Sequence, residues 1–129
     1  MAKHLSKLRI ILIAAVLVLL SVFGATGQQV SPNQMAVHFI NVGQADSELL
    51  EFSCGAILID AGAQDPKTVQ GLIQFLHTFF ARRTDLNNTL DLVLISHDHI
   101  DHDTALMAVA QNFKIKNISI MATRKGLVK

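Results

Sequence analysis

The chain alternates short apolar runs with longer amphipathic segments, a pattern typical of strands interleaved with helices. Residues 35–43 (MAVHFINVG) are strand-like in composition, and residues 47–60 predict a hairpin with Gly55 in its turn. Residues 90–96 (LDLVLIS) predict a short buried strand, and residues 117–123 predict another. The pattern therefore predicts a mixed α/β domain.

Two helices are predicted between these strands. Asp65 and Pro66 suit the N-cap and the first residue of a helix. The apolar residues that follow recur at helical spacing and predict one buried face: Val69, Leu72, Ile73, Leu76, Phe79 and Phe80. Residues 104–112 predict a second, shorter helix.

The N-terminal segment has the three-part layout of an export signal. Lys3, Lys7 and Arg9 precede an unbroken apolar run over residues 10–20, and small residues follow it up to Gln28. We predict that residues 1–27 are a cleaved signal peptide, with an uncleaved membrane anchor as the alternative. Either reading places residues 28–129 outside the cytoplasm, as a periplasmic, extracellular or membrane-anchored domain that meets the membrane only through its N-terminal segment.

Composition narrows the class of protein. With 129 residues, 50% of them hydrophobic, the chain can form one domain with a real core. A net charge of +1 gives no sign of a strongly basic nucleic-acid binder or an acidic tail. Cys54 is the single cysteine, so one chain can build neither a disulfide framework nor a thiolate zinc cage.

The candidate chemistry is concentrated in the heptapeptide HDHIDHD, residues 97–103, directly after a predicted strand. It holds three of the six histidines of the chain. His97 and His99 can bind one metal, and Asp101 and His102 can turn toward a second. Imidazole and carboxylate ligands suit zinc, with manganese or iron as alternatives. A metal-bound water would be the nucleophile. The competing interpretation of the motif is a solvated polar loop without a metal.

The same residues carry a resemblance to a known family. HDHIDH resembles the signature of the metallo-β-lactamase fold hydrolases. FINVGQADSELLEF followed by AILIDAGA is similar to the opening hairpin of that fold, in the branch that contains the hydrolase domain of competence-type DNA-uptake channel proteins. The similarity runs from about Met35 to Thr123, and it implies an αββα sandwich of which this sequence covers the N-terminal half.

The resemblance also implies roles for particular residues. It implies two zinc ions, with His97 and His99 on the first metal and Asp101 and His102 on the second. Asp101 is the predicted catalytic carboxylate. Asp60, at the end of an early strand, is the acidic residue expected to brace the metal loop, and its competing interpretation is an ordinary turn residue.

Several features depart from the family pattern. HDTAL stands where a glycine pair usually continues the signature, and Asn41 and Ala45 stand where the competence branch tends to have Asp and Gly. After His102 the sequence has no further histidine, and Asp103 is its only later acidic residue. The third ligand that each metal needs is therefore expected from a missing C-terminal half or a complementing chain, and we expect this chain alone to be inactive.

Three functions fit this pattern. The first is a metal-dependent hydrolase of phosphodiester or related ester bonds, acting on a small molecule or a nucleic acid. The second is a truncated, catalytically inactive remnant or binding module, and the third is a β-lactam hydrolase. A reading frame that continues past Lys129 with two more histidines would favour the first. We expect His38 and His77 to be ordinary surface or rim residues, and Asp46 either to approach the site or to form a turn.

Overall fold

The computed structural model describes residues 30–97 and 99–121. The predicted signal or anchor over residues 1–27 lies outside them. Among the described helices, none has the length and apolar character that crossing a membrane requires.

The described chain forms a five-stranded mixed sheet with helices. The strands are β1 (Met35–Phe39), β2 (Glu48–Phe52), β3 (Gly55–Ile59), β4 (Thr89–Leu90), β5 (Leu92–Ile95), β6 (Lys114–Ile115) and β7 (Ile118–Ile120). The helices are α1 (Pro66–Arg82), α2 (Ile100–Asp103) and α3 (Leu106–Asn112), with a 3₁₀ turn at Thr84–Leu86. The main sheet has the order β1-β2-β3-β5-β7, and β4 pairs with β6 in a separate two-stranded sheet. The predicted α/β class is confirmed.

The long helix α1 forms as its sequence predicts. Asp65 is the N-cap: its carboxylate accepts the backbone N–H of Thr68, and the Thr68 hydroxyl receives the backbone N–H of Asp65 in return. Pro66 occupies the first helical position. Four of the six predicted apolar positions are buried: Leu72, Leu76, Phe79 and Phe80. The helix therefore packs one face into the core and exposes the other.

The two faces of the main sheet differ in burial. One face packs in the same hydrophobic core as α1 and α3 through buried residues Leu49, Ala56, Leu58, Val93 and Ile95. On the other face an apolar row crosses four strands in register: Val37, Leu50, Ile57 and Leu92. None of these four side chains is buried. The described part of the chain thus leaves an apolar sheet face without a layer over it.

The hairpin turn lies one step earlier than predicted. Ser53 and Cys54 form the turn, and Gly55 is the first residue of β3. A Cβ at Gly55 would lie 2.3 Å from an Oδ2 of Asp91. That carboxylate accepts the backbone N–H of Ala56. A Cβ at Gly55 would therefore displace the Asp91 carboxylate from Ala56, and Gly55 lies in β3 and not in the turn.

Two further boundaries differ from the prediction. The apolar run over residues 90–96 is divided into β4 and β5 at Asp91, whose carboxylate binds Ala56 of the neighbouring strand and Lys116. The helix predicted over residues 104–112 is preceded by α2, which begins at Ile100 inside the HDHIDH motif. The later motif residues are therefore helical.

Candidate functional site

The histidine motif lies where two parallel strands end side by side. β3 and β5 are parallel neighbours, with Ile59 opposite Leu94. Asp60 follows β3 directly, and Ser96 and His97 follow β5. Because the carboxyl ends of parallel strands share one edge of a sheet, these polar residues meet although they are far apart in sequence.

Asp60 is the centre of this meeting point. It is buried, and its backbone is in the left-handed region at φ 56°. Its carboxylate accepts the Ser96 backbone N–H at 2.7 Å and the Ser96 hydroxyl at 2.8 Å, and it lies 2.8 Å from Nδ1 of His102. Asp60 thereby fixes both the start and the end of the histidine loop.

These bonds determine which ring nitrogens remain open. An ionised carboxylate can only accept, so His102 donates to Asp60 from Nδ1, and its Nε2 carries a lone pair whenever the ring is neutral. The Ser96 hydroxyl donates its only hydrogen to Asp60. Nδ1 of His97 lies 3.0 Å from the Ser96 hydroxyl oxygen and therefore donates its own hydrogen to that oxygen. Each ring is thus held through Nδ1 and presents Nε2 as a potential ligand. We call Asp60, Ser96, His97 and His102 the histidine cluster.

The three motif histidines are neighbours. The ring centroid of His97 lies 4.5 Å from that of His99 and 3.8 Å from that of His102. His99 is the N-cap residue of α2 and is exposed, whereas His102 is buried. Asp98, which the sequence placed between the first two histidines, lies outside the described residues. The structure therefore brings together the three predicted imidazoles.

Two carboxylates approach the open side of His102. Oδ2 of Asp101 lies 3.6 Å from Nε2, and Oδ2 of Asp46 lies 3.7 Å from the same atom. Burial lowers the pKa of His102, but the hydrogen bond to Asp60 and the charges of Asp60, Asp101 and Asp46 outweigh it, so that the pKa is raised above its ordinary value. This position favours a positive charge.

A glycine allows three segments to close around the loop. The backbone N–H of Gly62 donates to Asp46, and the backbone N–H of Asp46 donates to Asp101. A Cβ on Gly62 would lie 1.7 Å from the carbonyl oxygen of Asp101, a backbone atom that no rotamer change can move. The glycine pair that usually follows the family's signature is missing after His102. Gly62, in the loop after β3, instead allows the backbone of that loop to lie close to the backbone of Asp101.

The donor chemistry of the site fits a metal, whereas its geometry is incomplete. Two imidazole Nε2 atoms and the exposed carboxylate of Asp101 are hard or borderline ligands of the kind that zinc, manganese and iron accept. Within residues 30–97 and 99–121, however, no three His, Cys, Asp or Glu side chains are arranged as a group that could hold a metal ion. The metal roles of His97, His99, Asp101 and His102 and the catalytic role of Asp101 stay predictions.

A second polar cluster lies at the C-terminal end of α1. Glu51, in β2, is bound by Arg82 through both carboxylate oxygens, by Arg83 at 2.9 Å and by His38 at 2.9 Å. Burial raises the pKa of Glu51, but the hydrogen bonds from these three side chains lower it to about 2. We call His38, Glu51, Arg82 and Arg83 the arginine cluster.

The remaining histidines lie away from the candidate site. His77 is exposed on α1, as expected, and its ring centroid lies 4.8 Å from that of Phe113. His38, expected to be an ordinary surface or rim residue, is half-buried, and its Nε2 lies 2.9 Å from a carboxylate oxygen of Glu51. Sequence reasoning also missed Ser96 and Gly62, whose only local signal is their place next to the two strand ends.

The chain is similar to known proteins in sequence family and, over part of its length, in structure. The model of a family described as the metallo-beta-lactamase superfamily matches residues 40–126. Among solved structures, the chain is similar to one titled "Peroxy diiron species of chemotaxis sensor ODP", with 10% identity and a TM-score of 0.45. The match covers 71% of this chain and 43% of that one, so this chain spans less than half of that structure. No curated protein matches.

Proposed function

The chain belongs to the metallo-beta-lactamase superfamily, and from that premise we propose that it is a metal-dependent hydrolase whose site is the loop that follows β5. The observation that carries the proposal is the histidine cluster. Asp60 and Ser96 hold His102 and His97 through Nδ1, so that both rings present Nε2. Rings held only for packing would not need their tautomers fixed in this way.

The donor set assigns roles in the proposed site. His97 and His99 would hold one metal, and Asp101 with His102 would hold the second, with zinc as the metal and manganese or iron as alternatives. When bound, such ions activate a water as a nucleophile near neutral pH. The ring contacts of His97 with both other histidines suit two adjacent sites.

The protein's own groups would orient and accept protons. Asp60 accepts the Nδ1 hydrogen of His102 and so keeps that ring in one tautomer. The Ser96 hydroxyl, which donates to Asp60, accepts the Nδ1 hydrogen of His97 and fixes its tautomer in the same way. The Asp101 carboxylate is about half exposed, with 51% of its side chain accessible. It could therefore accept a proton from an attacking water at the proposed site.

For the substrate we propose a phosphodiester or a related ester. The support is the likeness of residues 39–52 and 56–63 to the opening hairpin of the competence-type branch. The net charge of +1 adds no electrostatic support for a nucleic acid over a small phosphodiester. A β-lactam ranks lower because that hairpin is similar to the nucleic-acid branch.

A specific observation favours a second candidate, a metal-binding module without turnover. The described residues assemble no three-ligand group, and affinity depends on the whole ligand set. We therefore propose that the chain alone binds zinc weakly and turns over slowly or not at all. Further ligands from a C-terminal half or a complementing chain would supply activity.

The test combines zinc calorimetry with hydrolysis of bis(p-nitrophenyl) phosphate and of a chromogenic β-lactam. We expect weak zinc binding that His99→Ala abolishes and that His77→Ala, a histidine change on the exposed face of α1, leaves unchanged. Turnover of both substrates should be negligible. Equal zinc binding by wild type and His99→Ala would reject the site. Tight stoichiometric zinc with robust turnover would show that the site is already complete.

A further inference from the structure

One face of the main sheet is apolar and accessible to solvent. It lies opposite the core that contains α1, and the register of the strands aligns its side chains in rows that cross the sheet. The central row is apolar throughout: Val37, Leu50, Ile57 and Leu92. The rows on either side begin on the edge strand β1 with Met35 and Phe39, which are 51% and 81% accessible. We call this side of the sheet the open sheet face.

The open sheet face carries almost no charge. Among the residues of the five paired strands, Glu48 is the one charged side chain on it, in the row that begins at Phe39. That row lies at the end of the sheet beside the loop after β1. Glu48 therefore stands at the rim of the face, where a charge keeps contact with water when the centre is covered. A partner for this face needs apolar surface and no opposite charge.

A copy of the chain offers a surface of the required shape. Two sheet faces pack against each other about 10 Å apart, with their strands within about 30° of alignment. In the described chain, α1 and α3 pack in the core on the opposite side of the sheet. Residues 122–129, which follow the described ones, are too few to cover five strands. A covering layer of this width is therefore larger than those residues can supply.

The strand order makes the open sheet face self-complementary. β3 lies at its centre, with two strands on each side. A two-fold axis along β3 stacks β3 on its copy and β2 on β5 of the copy. Ile57, in the middle of β3, then meets Ile57 of the copy, whereas Glu48 lies over β5 and away from Glu48 of the copy. Such an isologous interface closes on itself as a dimer.

The size of the face is near that of a specific interface. Strands about 4.8 Å apart and residues about 3.3 Å apart along them make it roughly 24 Å by 16 Å, or roughly 380 Å² for each copy. Protruding side chains raise the accessible area above this flat footprint. Two copies together therefore approach the roughly 1,000 Å² of total burial that separates specific interfaces from incidental contacts.

We infer that this chain pairs with a second copy of itself through the open sheet face, as a two-fold dimer centred on β3. The contiguous apolar rows mark the face as an interaction site, and their lack of charge lets the same surface serve on both partners. The inference goes beyond the proposed function and does not depend on it, because no residue of the central row belongs to the histidine cluster.

The experiment measures the association of the full chain by sedimentation equilibrium, with substitutions at the centre of the face. Ile57→Lys and Ile57→Glu each place a charge where the two copies meet. Met107→Lys is the matched control, because Met107 is an apolar residue of α3 with 69% accessibility and lies off the face. All proteins share the same N-terminal segment, so any association through residues 1–27 is common to them. Circular dichroism shows whether each variant keeps its fold.

We expect a wild-type dimer whose dissociation constant rises at least about 100-fold in each Ile57 variant, because like charges then face each other across the interface. An equimolar mixture of Ile57→Lys and Ile57→Glu should recover the dimer, since opposite charges then meet. Met107→Lys should match the wild type. Val37→Lys, at a more exposed position of the central row, should also weaken the dimer and provides the test if an Ile57 variant fails to fold.

A monomeric wild type would overturn the inference, whether another segment of the chain covers the face or the face stays open. Open-ended aggregation would overturn it too, as would a dimer that is unchanged in the Ile57 and Val37 variants or equally weakened in Met107→Lys. A mixture of the two Ile57 variants that stays monomeric would mean that the face binds something other than its own copy. In each of these cases, loss of zinc binding in His99→Ala would still uphold the proposed function.

Discussion

The histidine cluster and the arginine cluster use similar residues in opposite ways. Each has a buried carboxylate that contacts a histidine. Glu51 is met by two guanidinium groups, so its charge is balanced on the spot. Asp60 instead accepts from an amide, a hydroxyl and an imidazole. Its hydrogen bonds orient other groups and leave His102 with an open ring nitrogen.

Position in the sheet explains the difference. Glu51 lies within β2 on the core side, where a charge must be paired because it cannot reach water. Asp60 lies one residue past β3, at the edge of the sheet, where a loop can be shaped around it. In this molecule the carboxylate paired with guanidinium groups stabilises the fold, whereas the one that orients groups with open ring nitrogens lies at the candidate site.

The largest effect on stability should come from the arginine cluster. Glu51→Ala leaves Arg83, which has no accessible side-chain surface, without its buried carboxylate partner. We expect a loss of about 3 kcal/mol or more in the free energy of unfolding, the usual cost of removing one member of a buried pair. Urea unfolding measures it. A loss under about 1 kcal/mol would show that Asp85 and the backbone carbonyls satisfy Arg83 alone.

Acid should weaken the same cluster within a defined range of pH. The pKa of Glu51 is lowered from 4.5 to about 2. A lowered pKa gives stability that is fully present above pH 4.5 and is lost as the pH falls toward 2, worth up to about 3 kcal/mol. Urea unfolding of wild type and Glu51→Gln between pH 5 and 2 isolates this contribution, since the amide of the variant cannot titrate. Parallel pH curves for the two proteins would refute it.

The histidine cluster should respond less in stability and more in binding. Asp60→Ala leaves Ser96 and His102 without their acceptor, which we expect to cost about 2 kcal/mol and to weaken zinc binding by roughly 10–100-fold. Asp60→Asn is the matched variant, because Asn tolerates the left-handed backbone at this position. It should keep most of the stability while losing zinc affinity. Equal zinc affinity in all three proteins would mean that Asp60 has no part in orienting ligands.

The smallest effect should be that of Cys54→Ser. Cys54 is exposed in the turn between β2 and β3 and belongs to neither cluster. We expect changes in unfolding free energy within about 0.5 kcal/mol and unchanged zinc affinity, measured by urea unfolding and calorimetry. A loss of zinc affinity would place the Cys54 thiolate in the metal site and would contradict the assignment of that site to the histidine cluster.

Local signals explain which parts of the fold were predictable. Helix α1 has a capping box, a proline at its first position and a regular apolar period, all within 17 residues. The hairpin is also encoded by local sequence, but its turn was misplaced by one residue. Gly55 lies in β3 against Asp91, a residue 36 positions later in the sequence. The helix α2 was missed because its four residues carry no side-chain N-cap bond.

In the candidate site, too, the residues with a local signal in the sequence were predictable, and the long-range contacts were not. The motif histidines were visible because they stand together in the sequence, and Asp60 was found through its resemblance to a family pattern. The approach of Asp46 to His102 joins the loop after β1 to helix α2. The arginine cluster joins Glu51 to residues more than 30 positions away. No periodicity in the sequence encodes such pairings, since they arise only when the strands and α1 pack.

The most direct test of the central claim, that the histidine loop is a metal site, is X-ray absorption at the zinc edge of the wild-type chain loaded with one equivalent of zinc. The account predicts a shell of nitrogen and oxygen at about 2.0–2.2 Å with the outer scattering of at least two imidazoles, lost in His99→Ala and unchanged in His77→Ala. An oxygen shell without imidazole scattering, or a sulfur shell at about 2.3 Å from Cys54, would contradict it.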